Sequence, residues 1–164
     1  MQRNFLFTRN KSVVTYGWAS LLDLPSLEQI EKDCFTTEAF HRRLIKNLLM
    51  NPKSIVIKAT LPTGKIIGNI IGVTQRVGDE SVGRIFSLCV LAEHQKKGFA
   101  TKLVRLIEEE FVLRGVKRIK LEVYVNNITA QQFYKRLCYS MSTIVLPGFY
   151  SDGTDALVMI KGLP

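Results

Sequence analysis

The amino-acid sequence predicts one α+β domain in which helices pack on a mixed, mostly antiparallel β-sheet. Short segments of alternating apolar residues, typical of strands, are separated by turns rich in glycine, proline and asparagine. Between two of these strands, within residues 84–125, lies a long stretch with apolar residues at helical spacing. A strand, a helix and a second strand in that order indicate a right-handed crossover between parallel strands. The predicted sheet therefore has a parallel pair at its centre.

In order along the chain, the apolar spacing predicts about seven strands and about four helices. Pro25 lies in the first turn of a helix in which Leu27, Ile30 and Glu31 recur at helical spacing, and Gly115 ends the longest helix. Two tight turns join three strands into an antiparallel meander. The predicted strands are 13–19, 54–60, 66–75, 84–90, 118–125, 141–146 and 156–160. The predicted helices are 25–34, 37–50, 97–113 and 127–137.

The length and composition agree with one globular domain over residues 1–164, with residues 1–11 as an N-terminal extension. The chain has 164 residues, of which 46% are hydrophobic and 23% are charged. No apolar run approaches the roughly 20 residues that cross a bilayer, and residues 1–11 lack the apolar core of a signal peptide. We therefore expect a cytoplasmic protein with no membrane partner.

The net charge and the spacing of the cysteines limit the kinds of ligand-binding or metal site that the sequence predicts. A formal net charge of +9 comes from basic residues spread along the chain, and it favours either a solvated basic surface or an anionic ligand. Cys34, Cys89 and Cys138 lie far apart and the chain has two histidines, so we expect neither a metal site nor a disulfide framework. Cys89 and Cys138 are predicted to be small, reduced core residues.

The first chemical signal lies where a predicted strand ends and the longest helix begins, at Gln95-Lys96-Lys97-Gly98-Phe99-Ala100. Gly98 lets the backbone approach a ligand closely, and the unpaired N–H groups of a helix N-terminus attract an anion such as a pyrophosphate. The stretch is not a Walker motif. From these residues alone, an anion site and a plain helix start both stay open.

The second signal is a carboxylate in the middle of a predicted central strand. The side chain of Glu122 points away from the apolar face, and a carboxylate there is costly unless it is partnered or useful. Asn127 and Tyr134 share one face of the following helix. Glu122 is therefore a candidate general base. The structural alternative pairs Glu122 with Lys120 and makes Tyr134 a core aromatic residue.

These motifs and the order of the elements resemble the GNAT superfamily of N-acetyltransferases, and more closely its RimI-type and Ard-type protein N-terminal acetyltransferases. Residues 95–100 are similar to the family's Q/R-x-x-G-x-G/A motif. Residues 121–134 match L-E-V…N-x-x-A-x-x-x-Y with its spacing intact. Residues 149–156 resemble Y-Y-x-D-G-x-D-A, with Phe149 replacing the first tyrosine. The resemblance runs over residues 13–163 and implies the GNAT fold, which some schemes class as α/β.

The resemblance also implies roles for individual residues, with acetyl-CoA as the cosubstrate and no metal. Glu122 would act as the base, directly or through a water, and Tyr134 would protonate the departing thiolate. Leu88 and Val90 would hold the pantetheine and the acetyl carbonyl through main-chain groups, and residues 95–100 the pyrophosphate. The residues that it assigns to the cofactor are Leu88, Val90, Gln95, Lys96, Lys97, Gly98, Phe99, Ala100, Asn127 and Tyr134.

The implied reaction is direct attack of an amine on the thioester in a ternary complex, with a protein or peptide N-terminus as acceptor. An α-amino group titrates near ~7.7–8.0 and a lysine near ~10.4, so a modest base suits N-termini better. Phe35 and Tyr150 are candidate walls for the first side chain, and Glu38 is a candidate partner for the ammonium group. Phe35 also suits a core position, and Glu38 suits the first turn of a helix.

Other functions stay open at this point. A GNAT enzyme that acts on a small amine or a lysine side chain would share the fold and the cofactor site. A basic nucleic-acid-binding or ribosome-binding module would need aromatic residues interleaved with lysine and arginine on one face, and the sequence shows no such stripe. A ribosome or an auxiliary subunit is a candidate partner, and the sequence does not determine the oligomeric state.

Overall fold

The computed structural model describes residues 13–35 and 37–164, and the described residues form seven strands and four α-helices. The strands are β1 (Thr15–Trp18), β2 (Ser54–Thr60), β3 (Ile66–Val77), β4 (Glu80–Val90), β5 (Arg118–Tyr124), β6 (Ser140–Leu146) and β7 (Ala156–Gly162). The helices are α1 (Leu24–Cys34), α2 (Arg42–Met50), α3 (Phe99–Leu113) and α4 (Ile128–Arg136). The predicted class and element order are confirmed. The predicted N-terminal extension, residues 1–11, lies outside the described residues.

The strands form one sheet in the order β1-β2-β3-β4-β5-β7-β6. Every neighbouring pair is antiparallel except β4 and β5, which are parallel and joined by the crossover through α3. The parallel ladder pairs Val82–Ile85 of β4 with Arg118–Leu121 of β5. Both strands continue past this ladder without pairing with each other in the described part of the chain. The centre of the sheet is therefore open where the two strands separate.

Helix α3 covers one face of the sheet, because its apolar residues recur with the helical period. Leu103, Ile107 and Phe111 are completely buried against the strands. A Cβ atom on Gly83 of β4 would lie 2.9 Å from the Phe111 ring, so this close packing needs a glycine. With 15 residues, α3 is the longest helix described, and over the described ranges no helix is both long and apolar enough to cross a membrane.

Helices α1 and α2 cover the opposite face, where Leu27 and Ile45 are buried completely. The predicted start of α2 at residue 37 is wrong, because the helix begins at Arg42. The imidazole Nδ1 of His41 caps the helix by accepting a hydrogen bond from the Leu44 amide at 3.2 Å. The residues before His41 are held by tertiary contacts instead, and the amide of Phe40 donates to Glu31 at 3.3 Å.

The prediction that two cysteines are core residues is correct for Cys89 and wrong for Cys138. Cys89 is buried in β4, whereas Cys138 is exposed just after α4. Its backbone has φ +67°, in the left-handed region that ends many helices. The prediction treated Cys138 as a small apolar residue, whereas the residue lies at the end of α4 and is exposed.

Candidate active site

A cavity of about 720 Å³ opens where β4 and β5 separate. Its lining comes from the second half of β4, from β5, from the start of α3, from α4 and from the loops that follow α1 and β6. Because the parallel ladder stops at Ile85, the β5-facing edge of β4 is available to a ligand from there onward. Leu88 and Val90, both predicted cofactor contacts, line the cavity from this edge. The cavity also brings the two sequence motifs together.

The start of α3 forms one end of the cavity. Gly98, the residue before the helix, has φ +86°, and Lys96 has φ +58°. A Cβ atom on Gly98 would have no described atom within 4 Å, so the space above this backbone is open. Phe99 and Ala100, in the first turn, line the cavity, as do Gln95 and Lys96. The first amides of α3 are therefore available to a bound anion.

Two polar side chains shape this end of the cavity. The Gln95 amide donates from Nε2 to the Val90 carbonyl at 3.0 Å, which ties the turn to the end of β4. A carbonyl has two lone pairs, so Val90 keeps acceptor capacity. The Lys97 ammonium donates to the Glu93 carbonyl at 2.8 Å, and Lys97 is the one predicted cofactor contact outside the cavity lining.

Glu122 lines the cavity, and its side chain is only 9% exposed. Its partner is Arg84 of β4, whose Nε atom lies 3.0 Å from Oε2, and not Lys120 as the structural alternative held. The Arg84 guanidinium also lies 4.5 Å from the centroid of the Phe86 ring. Arg84 was not among the residues predicted from the sequence. The available signal was an arginine in the predicted strand 84–90, where Ser87 is the other polar residue.

Tyr134 closes the cavity from α4, and it belongs both to the core and to the site. It is buried against Phe133 and Tyr139, with ring centroids at 5.1 and 5.4 Å. Among the described residues its hydroxyl group has no hydrogen-bond partner. Burial, and then the neighbouring Cys89 and Tyr150, raise the pKa of the Tyr134 phenol, which keeps it protonated. Asn127 caps α4 through a 3.0 Å bond from the Ala130 amide and lines the cavity beside it.

The three predicted acceptor residues meet at the other end of the cavity. Phe35, Glu38 and Tyr150 all line it, and Tyr150 stacks on Tyr124 with ring centroids 3.4 Å apart. Glu38 accepts hydrogen bonds from the amide of Ser151, at 2.9 Å, and from its hydroxyl group. Glu38 therefore joins the loop after α1 to the loop after β6, and these two loops form the predicted acceptor end of the cavity.

Glu31 is a second site residue that the sequence analysis missed. Its side chain is completely buried and lines the cavity from α1. Oε1 accepts from the Ser87 hydroxyl at 2.6 Å and from the Cys89 thiol at 3.2 Å, while Oε2 accepts from the Phe40 amide. The signal was a carboxylate at a core position of the α1 pattern, beside Ile30. Glu31 links α1, β4 and the acceptor loop.

Comparison with known proteins agrees with this geometry. A sequence model described as the Acetyltransferase (GNAT) family matches residues 21–138. The chain belongs to this family. The GNAT fold, with seven strands and one central parallel pair, is thus confirmed, and so is the prediction that the protein is an N-acetyltransferase.

The similar proteins include two curated GNAT relatives and many solved structures. An uncharacterised N-acetyltransferase from Methanocaldococcus jannaschii is 33% identical over 143 residues, covering 87% of each chain. N-alpha-acetyltransferase 20 from Dictyostelium discoideum is 30% identical over 144 residues, covering 87% of this chain and 82% of the relative. Arabidopsis thaliana NAA60 in complex with acetyl-CoA has a TM-score of 0.82 at 20% identity, covering 92% of this chain and 99% of that one.

Proposed function

We propose that this protein transfers the acetyl group of acetyl-CoA to the α-amino group of protein or peptide N-termini. The observation that carries the proposal is one cavity that joins the start of α3, Glu122 and Tyr134. The name of the Dictyostelium relative, N-alpha-acetyltransferase 20, supports the acceptor class. The NAA60 structure, which holds acetyl-CoA in the same fold, supports the cosubstrate.

The residues at the start of α3 fit the cosubstrate. The backbone of residues 95–100 would bind the pyrophosphate, because the unpaired amides and the positive end of the helix point toward open space. Leu88 and Val90 would hold the pantetheine and the acetyl carbonyl through main-chain groups on the free edge of β4. Asn127 would contact the cosubstrate beside α4, where its carboxamide also caps the helix. Acetyl-CoA supplies the thioester, and every other group comes from this chain.

Glu122 and Tyr134 would move the protons in a ternary complex. Glu122 would take a proton from the incoming amine, directly or through a water, as the amine nitrogen bonds to the acetyl carbon. The carbon–sulfur bond then breaks, and Tyr134 would give its phenolic proton to the departing thiolate. The raised pKa of Tyr134 means that the phenol carries this proton at neutral pH. The chain supplies both proton-transfer groups from neighbouring elements.

The acceptor end would bind the first residue of the peptide. Phe35 and Tyr150 would form the walls beside the amine, and Glu38 would hold the two loops together around it. These loops, and not the shared cofactor site, would distinguish a peptide N-terminus from a small amine or a lysine side chain. A ribosome or an auxiliary subunit as a further partner stays a prediction.

The test is an acetylation assay with acetyl-CoA and three kinds of acceptor. The first is a peptide with a free N-terminus, the second is the same peptide with a blocked N-terminus and an internal lysine, and the third is a free small amine. Release of free CoA gives the rate, and mass spectrometry locates the acetyl group. We expect acetylation of the free N-terminus. Acetylation confined to the lysine or the small amine would refute the proposed acceptor, while Glu122→Gln protein controls for non-enzymatic transfer.

A further inference from the structure

We propose that Arg84 selects an acceptor that carries a carboxylate close to its amine, which in a peptide is an aspartate or glutamate as first residue. The inference rests on the proposed function and names the substrate class for the same site. Arg84 lines the cavity, and its side chain is 23% exposed, so the guanidinium is within reach of a bound acceptor.

The Arg84 guanidinium has hydrogen-bond donors that are unused within the described part of the chain. Its Nε atom bonds Glu122 at 3.0 Å, and one face of the group lies on the Phe86 ring. Neither Nη atom bonds any residue in the described part of the chain. A guanidinium carries five N–H donors in a planar fork that matches a carboxylate. The Nη donors of this partly buried cation are therefore available to bind an anion.

The nearby carboxylates, by contrast, already have donors. Glu31 accepts from Ser87, Cys89 and the Phe40 amide, and Glu38 accepts from Ser151. Glu31 is therefore not free for a basic first side chain without breaking these contacts, whereas Glu38 accepts through Oε1 only. The other lysine and arginine residues of the lining are Lys96, at the start of α3, and Arg136, in the last turn of α4. At the acceptor end, the charged hydrogen-bond donors without a partner among the described residues are the Nη atoms of Arg84.

The spacing also restricts where the carboxylate lies on the acceptor. Glu122 is the proposed base, so the amine must lie beside it, and Arg84 contacts that same carboxylate. A group on the Arg84 fork is then only a few covalent bonds from the reacting nitrogen. The side chain of a first-residue aspartate or glutamate meets this condition. The α-carboxylate of a free amino acid meets it too, so the two sources need separate tests.

The experiment compares peptides that differ only in the first residue, with aspartate against asparagine and glutamate against glutamine. We expect the acidic member of each pair to have a kcat/KM about tenfold higher, because a charged hydrogen bond to the guanidinium is lost in the amide. In Arg84→Gln protein both ratios should fall to about one. The ratio is internal to each variant, so a lower overall rate from the disturbed Glu122 does not affect it. Arg43→Gln, an exposed arginine of α2 outside the lining, is the matched control and should keep the wild-type ratios.

Each outcome has one meaning. Equal ratios in the wild-type enzyme, or ratios that persist in Arg84→Gln, would overturn the role of Arg84 and leave N-terminal acetylation intact. Acetylation of free aspartate or glycine, with no peptide accepted, would support carboxylate capture by Arg84 and refute the peptide acceptor. The absence of acetyl transfer to all of these amines would refute both proposals.

Discussion

The Nε atom of Arg84 lies 3.0 Å from Oε2 of Glu122, and this ion pair bridges β4 and β5 beside the point where the two strands separate. The pair places a cation beside the proposed base at the centre of the cavity. Because the carboxylate is 9% exposed, it needs such a partner to remain stable there. The strand opening, the proposed base and the proposed acceptor site are thus parts of one local arrangement.

Replacement of Glu122 by glutamine should remove the base without changing the shape of the site. We expect kcat to fall about 100-fold or more, because general base catalysis typically contributes that much. Acetyl-CoA affinity, measured by calorimetry, should stay within about twofold of wild type. Lys120→Gln, on the same strand face, is the control and should retain activity. A Glu122→Gln enzyme with normal kcat would show that another group takes the proton.

Replacement of Tyr134 by phenylalanine should lower turnover more than cosubstrate affinity. The phenol is the proposed acid, and phenylalanine preserves its packing on Phe133 and Tyr139. Since burial raises the pKa of Tyr134 above its usual value near 10, kcat should show no loss through Tyr134 ionisation as pH rises from 7 to 10. Steady-state rates across that range check both points. A rate for the variant equal to that of wild type would exclude the proposed acid.

The elements of the fold were predictable from the sequence because strand and helix periods are local signals. The strand–helix–strand order around α3 predicted the parallel pair correctly. The start of α2 was not predictable, because tertiary bonds to Glu31 and Ser151 hold the preceding residues out of the helix. Ser151 is remote from Glu38 in the sequence, and the bond of Phe40 to Glu31 depends on how the loop folds back on α1. Local propensity therefore favours a helix that the folded chain does not form.

The sequence motifs predicted the residues of the candidate site that lie within them. The polar partners of those residues were not predictable. The ion pair depends on the register between two parallel strands, in which Arg84 lies opposite Lys120. Sequence spacing within β5 favoured Lys120 as the partner of Glu122, because those two residues share a strand face. The neighbouring strand supplies Arg84 instead, and no local pattern encodes that register.

Variants of Glu38 should separate two explanations of its role at the acceptor end. If Glu38 mainly bridges the loops to Ser151, then Glu38→Gln should stay close to wild type, while Glu38→Ala should raise the acceptor KM about tenfold. If it mainly attracts the substrate ammonium, the two variants should show equal defects. Steady-state kinetics with one peptide decide between them. We expect the bridge, and acetyl-CoA affinity should be unaffected in both variants.

A Gly98→Ala substitution should weaken acetyl-CoA binding through the backbone at the start of α3. The residue has φ +86°, which costs a residue with a Cβ atom about 1–2 kcal/mol, so the turn should relax toward another geometry. Gly64→Ala is a matched control, because Gly64 has φ +87° in the β2–β3 turn, outside the cavity lining. Both variants should lose similar stability in urea unfolding, and only Gly98→Ala should lose acetyl-CoA affinity. Equal affinities would show that this backbone does not bind the ligand.

A Cys138→Gly substitution should stabilise the protein, because Cys138 adopts a conformation that suits glycine. Its φ is +67°, and the Tyr139 amide donates to the Tyr134 carbonyl at 3.0 Å. This bond pattern is typical of an α-helix that ends with one residue in the left-handed conformation. Relief of the Cβ clash stabilises the folded protein by about 1 kcal/mol. The greater conformational freedom of glycine in the unfolded chain offsets part of this gain. We expect a net gain of about 0.5 kcal/mol in the free energy of unfolding by urea. Cys138→Ala keeps the Cβ atom and removes the thiol, so an equal gain in that variant would attribute the effect to the sulfur and contradict the backbone explanation.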